Sequence, residues 1–194
     1  LSPIIQTLAN ASALGYRSLS AAAAADTGAM FPLQVITVGA AGASSVTFTN
    51  IPNTYEHLQL RYITRNNVGA YYVRLQFNND TTAANYSYHE LNGNGSAVSA
   101  SGGASSQYIY LPRNTDSGSS IFGAGVVDIL DYKNTNKNKT VRAVGGYDAN
   151  GSGVVDFTSG GYYQTTAISS IQLTVLAGSY QQYSQFALYG VKGA

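Results

Sequence analysis

The hydrophobic period of the chain changes near residue 30. Before it, Ile4, Leu8, Ala11 and Gly15 recur at helical spacing, with Ile5 and Leu19 beside that stripe. Ser2-Pro3 has the form of an N-cap followed by proline at the first helical position, and Ala21 to Ala25 is a run of strong helix formers that Asp26-Thr27-Gly28 ends. An Ala-rich helix of this size does not hold alone in water. Ile4, Ile5, Leu8, Leu14 and Leu19 are therefore the candidate anchor residues. The arm packs either on its own domain or on a neighbouring subunit.

After residue 30 the period falls to two. His57–Arg65 is the clearest case: Leu58, Leu60 and Tyr62 share one face, and Gln59, Arg61 and Ile63 the other. Tyr71–Phe77 places Tyr71, Val73, Leu75 and Phe77 on one side, and 168–175 does the same with Ile171, Leu173 and Val175. Further strands are predicted at 34–38, 45–49, 87–91, 107–111, 140–147, 154–158 and 183–191. Ile121–Leu130 is nearly continuously apolar and predicts a central strand. Gly39-Ala-Ala-Gly42 reads as a hairpin-like connection and Asn150-Gly151 as a tight turn. The stretch 92–106 is rich in Gly, Ser and Ala and reads as an exposed loop, as does 114–120.

These signals predict an all-β chain: a two-sheet antiparallel β-sandwich, with a jelly roll as the expected topology. The domain reading is a helical arm at 1–30 and a sandwich at 31–194.

Composition narrows the function. Charged residues make up 10% of the 194, and the net charge is +1. That leaves no electrostatic footprint for nucleic acid. Lys133, Lys137, Lys139 and Arg142 form the densest basic run, read as a solvated hairpin. No apolar run reaches the ~18 residues that a membrane-spanning helix needs. The absence of cysteine excludes disulfides and thiolate metal sites.

Candidate chemistry is thin. The only histidines and glutamates are Glu56-His57 and His89-Glu90. Neighbours on a strand face opposite ways, so neither pair is an acid–base dyad by itself, and a metal site would require the two pairs to meet. Asp128, Asp131, Asp148 and Asp156 are the carboxylates from which a glycoside-cleaving pair would have to come. Asp148, Asn150, Ser152 and Asp156 partly match a calcium loop, but the template's bidentate Glu falls on Ser159. The reading is no metal, no cofactor and no enzyme. Of the 16 tyrosines, Tyr71, Tyr72, Tyr108, Tyr162 and Tyr163 are the candidate surface contacts, since tyrosine offers a large area at low entropic cost.

Three segments resemble a known group. They are Phe48-Thr-Asn-Ile-Pro-Asn-Thr-Tyr-Glu-His-Leu-Gln-Leu-Arg61, Asp131-Tyr-Lys-Asn-Thr-Asn-Lys-Asn-Lys-Thr-Val-Arg142 and Gln185-Phe-Ala-Leu-Tyr-Gly-Val-Lys192. Together they resemble uncharacterised virion proteins of tailed phages of aquatic bacteria and cyanobacteria, over about residues 45–192. The resemblance implies a virion β-sandwich with no active site to carry over. The expectation is a capsid decoration or cement protein on the virion surface. Its partners would be other virion proteins and its own copies, as a homotrimer. The alternative is a tail-fibre or appendage module binding a host glycan through the 92–106 and 114–120 loops. Neither reading needs nucleic acid or a membrane.

Overall fold

A computed structural model describes residues 29–115 and 120–193. The proposed arm, with Ile4, Ile5, Leu8, Leu14 and Leu19, lies outside the described residues, as does most of the 114–120 loop. Twelve strands follow in order: β1 (Met30–Thr37), β2 (Ser45–Phe48), β3 (His57–Thr64), β4 (Tyr72–Phe77), β5 (Tyr86–Gly93), β6 (Val98–Ser106), β7 (Ile109–Arg113), β8 (Gly123–Leu130), β9 (Lys139–Asp148), β10 (Gly153–Tyr162), β11 (Ile171–Val175) and β12 (Gln185–Val191).

They form two antiparallel sheets, of order β1-β12-β3-β8-β9-β10-β5-β6 and β2-β11-β4-β7. Set aside the β5–β6 and β9–β10 hairpins, and the remaining strands deal into two four-stranded sheets, alternately except for β4 and β7, which pair within the small sheet. That interleaving is a jelly roll. The two hairpins lengthen one sheet to eight strands. The 39–42 connection is not a hairpin: β1 pairs with β12 and β2 with β11, so the chain crosses between sheets there. Gly-rich turn chemistry marks a reversal of direction, while the partner is chosen by strands far along the chain.

The inner faces supply the core. Leu58, Leu60, Val127, Ile129, Val141 and Phe186 of the large sheet meet Phe48, Val73, Leu75, Leu111, Ile171 and Leu173 of the small one, all buried. Tyr62 lies across Gly125 and donates its hydroxyl to the Pro112 carbonyl at 2.8 Å. A Cβ at Gly125 would stand 2.3 Å from that ring, so the glycine is what admits the tyrosine.

Two further expectations are corrected. Most of 92–106 is strand β6, paired along its length with β5. Small residues bring little strand propensity of their own; the ladder to β5 supplies the order. Lys139 is not solvated but buried. Its ammonium donates to the carbonyls of Asn134, of Lys137 at 2.9 Å and of Thr165 at 3.0 Å, which pins the β8–β9 connection to the 165 loop. Burial lowers its pKa.

Candidate interaction surface

The candidate chemical groups are kept apart. Three strands separate β3, with His57, from β5, with His89, so the two His/Glu pairs do not meet. His57 Nδ1 accepts the Asp131 N–H at 3.0 Å, and Glu56 pairs with Lys133 at 3.2 Å. Asp128 points outward from β8 and takes the Gln59 amide at 3.0 Å. Asp131 sits past one end of β8, where the Lys137 ammonium, donating at 2.8 Å, holds its carboxyl below the usual aspartate range. Asp148 is at the other end of the sheet.

The partial calcium loop is divided by the sheet. Asp148 Oδ1 accepts the Asn150 N–H at 2.8 Å, and Ala149 N–H donates to the Ser152 carbonyl at 2.6 Å, closing the β9–β10 turn. Asp156 instead points into the interior, fully buried. It accepts the Arg113 N–H at 2.9 Å and pairs with the Arg113 guanidinium at 3.2 Å. Burial raises its pKa, against the pull of Arg113. Arg113 also donates to the Tyr72 hydroxyl at 2.8 Å, and that hydroxyl donates to Glu90 at 2.6 Å. This chain of contacts ties β10 and β5 of the large sheet to the edge strand β7 of the small one. Among the described residues no three His, Cys, Asp or Glu gather as a metal site.

The tyrosines divide. Tyr162 is buried, stacked on Tyr86 with centroids 4.9 Å apart, and its hydroxyl donates to Asp80 at 3.1 Å. It is a core residue, not a surface contact. Tyr71, Tyr72 and Tyr108 are half-buried. Arg74 covers the Tyr108 ring at 4.6 Å. Tyr163 is exposed. Alternation alone could not separate Tyr162 from Tyr163; the register of β10 does.

What the sequence did not single out is the outer face of the eight-stranded sheet. Cross-strand register runs unbroken from Val35 to Ala187, Arg61, Val126, Val144, Phe157, Leu91 and Ala100, one residue from each strand. The adjacent row is Thr37, Gln185, Ile63, Ala124, Gly146, Val155, Gly93 and Val98. Val35, Ile63, Val126, Val144, Val155, Phe157, Leu91 and Val98 are all exposed, Phe157 at 54%. Arg61 is the only charge in the two rows, and it is held by Gln59 at 2.8 Å and against the Tyr189 ring at 5.6 Å. Gly146 has φ +140°, and a Cβ there would come within 1.9 Å of the Val154 carbonyl, so the face keeps a dent at that point. A shallow depression of about 470 Å³ opens around Ile63, Ala124, Val126 and Val144. A contiguous apolar patch on a sheet face marks a contact surface.

The chain matches no protein-family model and no curated protein sequence.

Proposed function

We propose that the chain is a non-catalytic structural subunit that decorates the outside of a tailed-phage particle, held there by contacts with other virion proteins and with its own copies. The single observation that supports this most is the pair of in-register apolar rows on the large sheet, exposed and carrying Arg61 as their only charge. Ion pairs and hydrogen bonds hold Asp128, Asp131 and the linked pair of Asp156 and Glu90 in three separate places, the linked pair engaged with Arg113 and Tyr72 between the sheets. Catalysis would need such groups convergent on one cleft. The phage setting comes from the resemblance of the three sequence segments.

Decoration is favoured over a glycan-binding appendage by two observations. The 92–106 segment that would have served as a recognition loop is largely strand β6, and Tyr162 is buried. The test is quantitative mass spectrometry of purified particles. Decoration predicts a copy number matching the capsid lattice. A copy number matching a few tail fibres favours the appendage. Absence from the particle overturns both.

A further inference from the structure

The two apolar rows have an order, and that order is self-complementary. Consider a two-fold axis parallel to the strands, lying just above the outer face and midway between β8 and β9. A second copy placed by that axis brings each strand opposite its mirror position in the sheet order, and rows stay matched because the rotation leaves each residue's height along the strands unchanged. Val126 then faces Val144 of the second copy, and Arg61 faces Phe157. In the next row Ile63 faces Val155. In the flanking polar row, Gln59, Asp128, Arg142 and Ser159 are cross-strand neighbours, so Asp128 faces Arg142 of the second copy. Further out, Leu91 faces the small Ala187.

Moving the axis destroys this match. Centred on β8 it opposes Asp128 to itself, and centred on β9 it opposes Arg142 to itself. Like charges directly opposite across a contact are penalised. Centred between β3 and β8 it leaves Arg61 facing Val126, with no ring to receive the guanidinium.

We infer that the outer face of the eight-stranded sheet is a two-fold interface between two copies of this chain, centred between β8 and β9. Sheets packed face to face in aligned fashion lie about 10 Å apart with strand directions within about 30° of each other, and the exposed valines, Phe157 and Ile63 are of a size to fill that gap. Three rows across eight strands cover about 34 Å by about 20 Å at ordinary strand and residue spacing. That approaches the ~800 Å² per partner of a standard specific interface. The charge pattern of the polar row fits a copy of the same face. The Arg61 guanidinium over the Phe157 ring adds a cation–π contact at the centre of the patch. A two-fold contact of this kind joins pairs and leaves higher stoichiometry to other surfaces. The inference rests on the assembly reading above, and the two fail separately.

The native chain has no cysteine, so introduced thiols are the only ones present. Full-length Ile63→Cys and Val155→Cys proteins, whose exposed positions on β3 and β10 face each other across the contact but lie three strand spacings from their own copies, are mixed and treated with a short bismaleimide. The mixed sample is expected to cross-link several-fold more than either variant alone, and sedimentation velocity of the unmodified chain is expected to show a dimer. Phe157→Asp, at an exposed position, should weaken the dimer at least ~30-fold while leaving circular dichroism unchanged. A monomer at micromolar concentration overturns the inference, as does self-linking of either variant that equals the mixed yield. A monomer in which the thiol at position 155 resists labelling also overturns it, since the face is then covered by something other than a second copy. A dimer missing from particles sinks the decoration reading alone; a monomer found on particles sinks only this one.

Discussion

The two sheets have alike inner faces and opposite outer ones. On the small sheet, the outward row of Ser45, Thr174, Arg74 and Tyr110 and the row of Thr47, Gln172 and Gln76 are polar or amphipathic. Arg74 lies over the rings of Tyr108 and Tyr110, and the Gln76 amide donates to the Gln107 carbonyl at 3.1 Å. That face is polar and suits water. On the large sheet, two outward rows carry exposed valine, isoleucine, leucine and phenylalanine among small residues, with Arg61 their only charge. A strand apolar on both sides is the mark of one covered on both sides. The contrast teaches that the jelly roll's core accounts for one half of each strand's sequence, and the contacts outside it for the other.

The largest effect expected comes from cutting what joins the two sheets. Asp156→Ala strands the Arg113 guanidinium and should lower stability by about 3–5 kcal/mol, read as a shift in urea midpoint. If the loss is under ~1 kcal/mol, the large sheet's extension is not held through this tie. Gly125→Ala should cost about 1–3 kcal/mol by forcing the Tyr62 ring out of its place beneath the apolar face. The next experiment sharpens the comparison itself. Arg74→Ala, on the small sheet, should cost up to ~1 kcal/mol of stability and leave association unchanged. Val155→Thr, on the large sheet, should stay within about 0.5 kcal/mol in the melt of the monomer yet weaken association. The reverse outcome would mean that the polar face makes the contacts.

The smallest effect is with acid. Burial by itself would raise the Asp80 pKa, but the Thr82 N–H at 2.9 Å, the Asn85 amide at 2.7 Å and the Tyr162 hydroxyl outweigh it and hold the carboxyl below its usual range. A lowered aspartate stabilises the fold above its unfolded value, near 3.9, and loses that contribution as pH falls through the folded one. Asp131 acts in the same sense. Asp156, raised, acts in the opposite sense, since its ionised form is the costly one and acid relieves it. Asp80→Asn should therefore flatten the acid-induced loss of stability below about pH 4, measured by melting temperature against pH.

Much of the fold was legible along the chain. Leu58, Leu60 and Tyr62, and Ile171, Leu173 and Val175, alternate cleanly and do point inward. The near-continuous apolar run at 121–130 did mark a central strand, β8. Strand β6 was not legible, because Ser99, Ala100, Gly102 and Gly103 have no pattern to read and owe their order to a neighbour. Lys139 was not legible either, since three backbone carbonyls have no sequence signature. The apolar face was half visible. Val154-Val155 and Ala124-Gly-Val126-Val127 break the alternation, but that their outward members form continuous rows depends on the register of seven strand pairings. Register between distant segments is information no local window holds.

Strand β12 lies between β1 and β3, and β11 between β2 and β4. Of the described strands these two leave the ribosome after all the others, yet each fills an interior slot. Until they arrive, β1 and β2 have no partners and both sheets stand open along a seam. Such closure from distant segments is slow and exposes sticky intermediates. Closure of both sheets thus cannot precede synthesis of β11 and β12, and a nascent chain halted before residue 171 would expose unpaired strand edges.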